Sequence, residues 1–481
     1  MSKTERSTQV DPVAKGGETM LYRLGVTCSS FTRAYIPNPF IFAIILTGVT
    51  AAFALILTPT GPAQIVGLWY GGFWDLLNFA MQMTVILLFG YALASSPPVE
   101  RGIDRIARVP KSATQAIVMI TVLAVIFGAL SWGLGLIIGA ISARKISQNC
   151  LDRGIRVHYP LAAAAGFSGL IVFNCGLSAS APLLINTPDH FLVGDIGLVP
   201  LSQTILTGYN LLTLLAYLVI IPFVYAGMQP PENERQLVSR DPVPSDGTPD
   251  AGGNAKLDAA GNASLTRKGD ATVAARLENS RILSWLVIIV GFGYIVWHFA
   301  TNGFDLNLNL VNFTLLILGM AAHGTPIAYV RAVDDAIGAC GQVVLQFPFY
   351  AGIMGIMSGS GLIAIFANGL VSISNDFTFP FFAMLSAAVV NLFVPSAGGQ
   401  WAVQGPVLIQ AAQDIGADIG QTVLAFGYGD QLTNGLQPMW MLPLLGVTRL
   451  RAGDILGYTA VMMLVALVIF GVGITLLPLV L

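Results

Sequence analysis

Charge is scarce in this 481-residue chain: Asp, Glu, Lys and Arg make up 10% of it, 55% is hydrophobic, and mean hydropathy is +0.73. That balance excludes a soluble globular protein of ordinary make-up and indicates a polytopic membrane protein. Cysteine is nearly absent. Cys28, Cys150, Cys175 and Cys340 stand far apart with no C-x-x-C pair, and His158, His190, His298 and His323 are equally scattered, so neither a disulfide framework nor a metal site is expected. A net charge of −2 and the lack of a basic stripe interleaved with aromatics make a nucleic-acid partner unexpected. No P-loop is visible, which argues against a primary pump and leaves no resident cofactor to expect. The first 19 residues are polar and precede no short apolar core with a small-residue cleavage site, so no removable signal peptide is expected.

Long apolar runs are present instead, at about 38–57, 74–95, 160–186, 203–227, 282–300, 306–322, 340–359, 420–446 and 455–480. These read as nine crossings, since a crossing takes about 20 apolar residues. Two further segments, about 113–143 and 377–411, are broken by glycine-rich tips, Ser131-Trp-Gly-Leu-Gly135 and Ser396-Ala-Gly-Gly-Gln400. In the second tip Pro395 and Pro406 bracket the turn, Gly398 and Gly399 carry no Cβ to keep a ligand from the backbone, and Ser396 and Gln400 add hydrogen-bonding groups. Its flanking runs are short for full spans. Both segments therefore read as re-entrant helical hairpins, because irregular backbone at membrane depth persists only where protein or a wet cavity satisfies its polar groups. An ordinary surface loop is the plainer alternative for the second tip. The expected fold class is an all-α polytopic membrane protein with about nine transmembrane helices and two opposed re-entrant hairpins.

Charge placement supports that count. Threaded this way, all 23 Lys and Arg fall on one side, which the positive-inside rule makes cytoplasmic. The opposite loops hold acids alone, among them Asp189, Asp195, Asp305, Asp376, Asp414 and Asp418. The N-terminus is then inside and the C-terminus outside. Residues 228–281, rich in Pro, Gly, Asp, Asn and Ser without periodicity, read as a disordered cytoplasmic linker. It follows a cytoplasmic segment (1–34) and a first repeat (35–227), and it precedes a connecting transmembrane helix (282–300) and a second repeat (301–481).

Sparse matches relate the two repeats. Met119 and Ser131 correspond to Met384 and Ser396 at one constant offset; Ala165, Gly169 and Asn174 correspond to Ala425, Gly429 and Asn434 at another. Each repeat holds two spans, a hairpin, a broken span and a closing span, and the extra helix at 282–300 starts the second copy on the opposite face. The repeats are therefore inverted, and inverted repeats with broken helices characterise secondary transporters, whose site lies at the repeat interface.

The broken span Ala425-Phe-Gly-Tyr-Gly-Asp-Gln-Leu-Thr-Asn-Gly-Leu-Gln-Pro-Met-Trp440 is too polar to face lipid. Asp430 stands at mid-span, where a charge costs roughly 2.5–3.5 kcal/mol on insertion scales and usually serves ion or proton movement; a structural acid bonded to its neighbours is the alternative. Thr433, Asn434 and Gln437 lie within about a turn of it, and Gly435 and Pro438 favour local unwinding. Carbonyls with an Asn oxygen and a hydroxyl suit Na⁺, while Asp430 alone suits a proton. The first-repeat counterpart supplies Asn174, Ser178 and Ser180 without an acid; serines here also serve close helix packing. Trp132 and Trp401 flank the tips as pocket walls or packing residues. No Lys or Arg lies inside a span, so a carboxylate substrate must meet backbone N–H groups at half-helix N-termini, which suits a monovalent anion better than a di- or tricarboxylate. Gly427-Tyr-Gly-Asp430 also matches the G-x-G-D pattern of intramembrane aspartyl proteases, but no second mid-span Asp is available to share the proton. A passive channel is a further alternative.

At Trp74 through Met83, Trp132-Gly-Leu-Gly135, Gly176-Leu-Ser178, Gln346-Phe-Pro-Phe-Tyr-Ala-Gly352, Pro395-Ser-Ala-Gly-Gly-Gln-Trp401, Gly429-Asp-Gln-Leu-Thr-Asn434 and Gln437-Pro438 the chain resembles the bacterial short-chain fatty acid transporter family. That family is similar to a wider group of ion-coupled carboxylate transporters with two opposed hairpins and a moving transport domain, commonly homodimeric. The resemblance implies uptake of short monocarboxylates such as butyrate or acetoacetate across a prokaryotic cytoplasmic membrane, with elevator-like alternating access and coupling to Na⁺ or H⁺. Substrate is then expected at Ser131, Trp132, Gly133, Asn174, Ser178, Ser396, Gly398, Gly399, Gln400 and Gln437, and the cation at Asn174, Asp430, Thr433 and Asn434. Phe173-Asn174-Cys175-Gly176 departs from the Trp-His-Gly-Gly stretch expected of the family, which makes Asn174 and Asn434 look like a facing pair of ligands.

Overall fold

A computed structural model describes residues 20–21, 23–25, 27–28, 39–74, 77–186, 190, 192–239, 273–303, 308–337, 340–394 and 397–480. Most of the N-terminal segment, Asp189, Asp305, Pro395, Ser396 and linker residues 240–272 lie outside the described residues. All regular structure among the described residues is helical.

In the first half the principal helices are α1 (Pro39–Leu57), α2 (Pro62–Gly72), α3 (Leu77–Ala94), α4 (Pro97–Ala107), α5 (Ala113–Leu130), α6 (Trp132–Asp152), α7 (Tyr159–Gly166), α8 (Ser180–Ile185) and α9 (Gly208–Gly227). After α10 (Arg281–Asn302) the same order of long, short, paired and interrupted helices recurs. These are α11 (Leu308–His323), α12 (Pro326–Ile337), α13 (Gly341–Gly359), α14 (Leu362–Val371), α15 (Phe379–Asn391), α16 (Ala397–Ile415), α17 (Ile419–Leu432), α18 (Pro438–Thr448) and α19 (Ala452–Thr475). Local sequence sets several starts. Ser112, Thr207, Ser280 and Asp418 each accept a backbone N–H two or three residues into the helix they precede. Pro62, Pro97 and Pro438 occupy first helical positions, where a missing N–H costs nothing.

Among the described residues five helical stretches are long and apolar enough to cross a membrane, Phe40–Leu57, Ala113–Leu130, Gly208–Gly227, Val273–Asn302 and Ala452–Leu479. Their outer faces are apolar. Ile282, Trp285, Leu286, Ile289, Val290 and Trp297 of α10 are exposed, and each such side chain would gain about 1.5–3 kcal/mol by leaving water, so this surface belongs against lipid. The chain is a multi-pass membrane protein.

The helices pack in two groups. In one, α3 lies against α11, α12 and α13, α13 against α1 and α2, and α10 against α11. Polar cross-links tie this group: Asn312 Nδ2 donates to Gln82 O at 2.9 Å, and His323 Nε2 lies 2.7 Å from Ala92 O. In the other, α5 pairs with α6 and α15 with α17, α9 packs on α5 and α19, and α7, every residue of which is buried, sits between α5, α6 and α19. Helices α4 and α14 follow α3 and α13 and run into the second group, where α4 touches α6 and α14 touches α15 and α16.

Three boundaries differ from the sequence reading. The arms of the first paired unit run to Asp152, not 143, because Arg144 on α6 donates to Val447 O at 3.0 Å, a backbone acceptor near the end of α18 that lets the helix carry a cation. Short helices α2, α4, α12 and α14 occupy stretches read as connections between the apolar runs. Linker residues 228–239 are ordered against the protein: Arg235 donates to Arg156 O at 2.7 Å, Tyr159 N to Gln236 O at 2.8 Å, and Val238 is buried.

Candidate functional site

Two interrupted helices meet inside the second group. The chain leaves α7 at Gly166, turns through 3₁₀ segments at Ser168–Ile171 and Phe173–Cys175, and resumes as α8. Its counterpart leaves α17 at Leu432, turns at Thr433–Leu436 and resumes at Pro438. Proline can begin a helix but not continue one, so the break expected from Gly435 and Pro438 falls there. Thr459 Oγ1 donates to Gly435 O at 2.6 Å and satisfies one carbonyl that the unwinding frees. Equivalent glycines bring each broken helix onto its paired unit. A Cβ at Gly169 would strike Ala124 O of α5, and one at Gly429 would strike Met384 O of α15.

Asp430 is 2% exposed and joins the two breaks. Its Oδ2 accepts from Asn174 Nδ2 at 2.8 Å. The other oxygen, Oδ1, is buried with no hydrogen-bond partner. Asn174 itself is fully used: Nδ2 also donates to Gly427 O at 3.0 Å, Oδ1 accepts from Ser180 N at 3.2 Å, and its backbone N–H donates to Gln431 Oε1 at 2.8 Å. A buried carboxylate served by one neutral amide is under-satisfied, and either a proton or a metal cation at Oδ1 would correct that.

One turn on, a second network binds α15 to the break. Asn391 Nδ2 donates to Thr433 Oγ1 at 2.9 Å and to Asn434 Oδ1 at 3.0 Å. Thr433 passes its hydroxyl hydrogen to Ala388 O at 2.9 Å, and Asn434 Nδ2 donates to Leu170 O at 3.1 Å. Gln437 Nε2 caps the end of α15, reaching Asn391 O and Leu392 O at 2.7 Å each, while its Oε1 is buried without a partner. Asn174 and Asn434 thus sit in adjoining turns, the first bonded to Asp430 and the second to Asn391.

At the first tip Ser131 links α5 to α6 and is buried, as is Gly133. Trp132 N donates to Ser178 Oγ at 3.0 Å, and the Trp132 ring meets Trp440 edge to face at 5.5 Å. Ser131, Trp132 and Ser178 therefore form one patch. At the second tip Gly398 is exposed and Gly399 half-buried, but Gln400 turns inward. Its Nε2 donates to Ala387 O at 2.9 Å and Gln404 Oε1 at 2.8 Å, and Gln404 donates to Ser386 Oγ at 2.8 Å, so this chain braces α16 on α15. Trp401 is wholly buried on Phe426, with ring centroids 4.9 Å apart. It is a packing residue.

Several members of these networks escaped the sequence reading: Asn391, Gln431, Gln404, and Asn210, whose amide donates to Cys175 O at 2.9 Å and accepts from Tyr428 OH at 2.8 Å. A signal existed for two of them. Asn391 and Asn210 are amides inside otherwise apolar runs, where a polar side chain must find an internal partner.

The sequence profile described as "Short chain fatty acid transporter" matches residues 20–477. A protein of Escherichia coli K12, named "Putative short-chain fatty acid transporter", is 37% identical over 457 residues, covering 95% of this chain and 100% of that one. One of the same name from Haemophilus influenzae Rd is 35% identical over 461 residues, 94% of this chain and 99% of its own. Among solved structures, that of the Alcanivorax borkumensis YdaH transporter aligns with a TM-score of 0.41 at 16% identity, covering 91% of this chain and 98% of that chain.

Proposed function

We propose that this chain, which belongs to the short-chain fatty acid transporter family, imports short monocarboxylates such as butyrate or acetoacetate by coupling them to a cation gradient. It is a transporter and not an enzyme. The observation that carries the coupling is Asp430, a buried carboxylate with one oxygen unpaired, placed where the two unwound turns meet. A cation, Na⁺ or H⁺, neutralises Asp430 and orders the turns bearing Asn174, Thr433 and Asn434. The substrate carboxylate then meets backbone N–H groups at the tips, where Gly398 offers open backbone, and Ser131, Trp132, Gly133, Ser178, Ser396, Gly399, Gln400 and Gln437 are the further residues proposed around it.

In this reading the paired units α5–α6 and α15–α16 are opposed re-entrant hairpins of two inverted repeats, and the group they belong to moves against the group built on α3 and α13. The recurring helix order and the closer packing within each group than between them support it. The protein works as a homodimer in a prokaryotic cytoplasmic membrane with its N-terminus inside. Uptake of labelled butyrate into proteoliposomes, under an inward Na⁺ gradient and separately under an inward proton gradient, tests the activity. Accumulation above equilibrium under one gradient is expected; flux that merely equilibrates under both would indicate a passive channel.

A further inference from the structure

We propose that Asn391 is a further residue of the coupling-cation site: an amide that holds the oxygens of Thr433 and Asn434 as a donor and turns over to become a ligand when Na⁺ takes its place. The inference rests on the cation-coupled reading above.

Hydrogen bookkeeping fixes which way the amide points. Thr433 has spent its hydroxyl hydrogen on Ala388 O, and Asn434 has turned its own amide hydrogens to Leu170 O. Both therefore present only lone pairs to Asn391, at 2.9 and 3.0 Å, and only the NH₂ end of the Asn391 amide can answer them. Turned about its last bond, the side chain would set Oδ1 against two acceptors. That arrangement is repulsive alone and becomes favourable once a cation lies between the three oxygens. The side chain thus has two settings, and a metal cation selects between them.

Surroundings confine the change to this side chain. Gln437 clamps the carbonyls of Asn391 and Leu392 at 2.7 Å each, and Asn391 is 1% exposed. The ligand class follows from the donors. Amide and hydroxyl oxygens are too weakly basic to carry a proton near neutral pH, whereas Na⁺ accepts them readily, so this part of the site takes the metal cation. Asp430, one turn earlier, supplies the negative charge.

The test compares Asn391→Asp and Asn391→Leu with the unaltered protein, in NaCl and in choline chloride. A carboxylate has no donor setting, so Asn391→Asp should lower the Na⁺ concentration for half-maximal butyrate uptake about tenfold and enlarge the rise in Tm that NaCl produces. Asn391→Leu should raise that Na⁺ concentration about tenfold with the butyrate KM nearly unchanged. A merely structural role would lower the rate in both variants and leave the Na⁺ dependence where it was, which would overturn the proposal. Should Asn391→Asp fail to elute as a single species, Thr433→Val takes its place; a smaller NaCl-induced rise in Tm is expected, and an unchanged one overturns the proposal. If the protein concentrates butyrate on a proton gradient alone and no form melts higher in NaCl, the Asn391 site is wrong and the transport reading stands. If no butyrate is carried yet Na⁺ raises the Tm of Asn391→Asp more than that of the unaltered protein, the site stands and the substrate reading fails.

Discussion

Asn174 and Asp430 lie in opposite halves of the chain, yet the Asn174 amide donates to Asp430 Oδ2 at 2.8 Å inside a fully buried site. Hydrogen bonds to charged groups contribute about 1.5–3 kcal/mol, so Asn174→Ala should cut the initial rate of butyrate uptake roughly tenfold to a hundredfold. Combined with Asp430→Ala it should cost little more than either change alone, because each single change already removes that contact. A double-mutant cycle measures this; additive losses would show that the two residues act separately.

Close approach of α17 to α15 gives a second expectation. Alanine at Gly429 would drive a Cβ into Met384 O and the Ala387 side chain, backbone and core that cannot swing aside, whereas nothing lies within 4 Å of a Cβ at Gly398. Gly429→Ala should lower the Tm by several degrees, a loss of about 1–3 kcal/mol, and abolish uptake. Gly398→Ala should melt like the unaltered protein. Thermal melting in detergent, followed by uptake, checks both.

Half-buried Trp132 at the first tip, with buried Trp440 of α18 edge-on to it, offers an apolar wall to a short acyl chain. Trp132→Ala should raise the butyrate KM more than the acetate KM. The two acids differ by two methylenes, worth about 0.8 kcal/mol each, so the difference should approach tenfold. Equal changes for both acids would remove Trp132 from the chain-binding wall.

The ordered start of the linker makes a prediction on the face away from lipid. Arg235 donates to Arg156 O at 2.7 Å and Pro230 O at 2.9 Å, and burial draws its guanidinium pKa down. Arg235→Ala should free residues 230–239 and speed tryptic cleavage after Arg240 several-fold without lowering the Tm of the helical body. Time-resolved digestion with mass analysis reads this directly.

Sequence periodicity and composition made the long helices legible because α1, α9, α10 and α19 are each apolar over 18 residues or more. Breaks at Gly435 and Pro438 were legible because those residues oppose a continuous helix. The ends of α6 were not: Arg144 and Lys145 look like a membrane border, and only the distant carbonyl of Val447 explains why the helix continues past them. Helices as short as α2 and α14 are too brief to register as spans and fall in the gaps between the apolar runs. Candidate residues on the broken span stood out by polarity, but which of them touch was invisible, since the partners of Asn391 lie 42 and 43 residues away and that of Asn174 lies 256 away.

Asp430→Asn in proteoliposomes tests the coupling most directly, because it keeps shape and Asn174's neighbourhood while removing the charge. With the cation gradient that drives the unaltered protein, the variant should bring labelled butyrate no higher than equilibrium while eluting and melting as a folded protein. Continued accumulation against the butyrate gradient by Asp430→Asn would contradict the account.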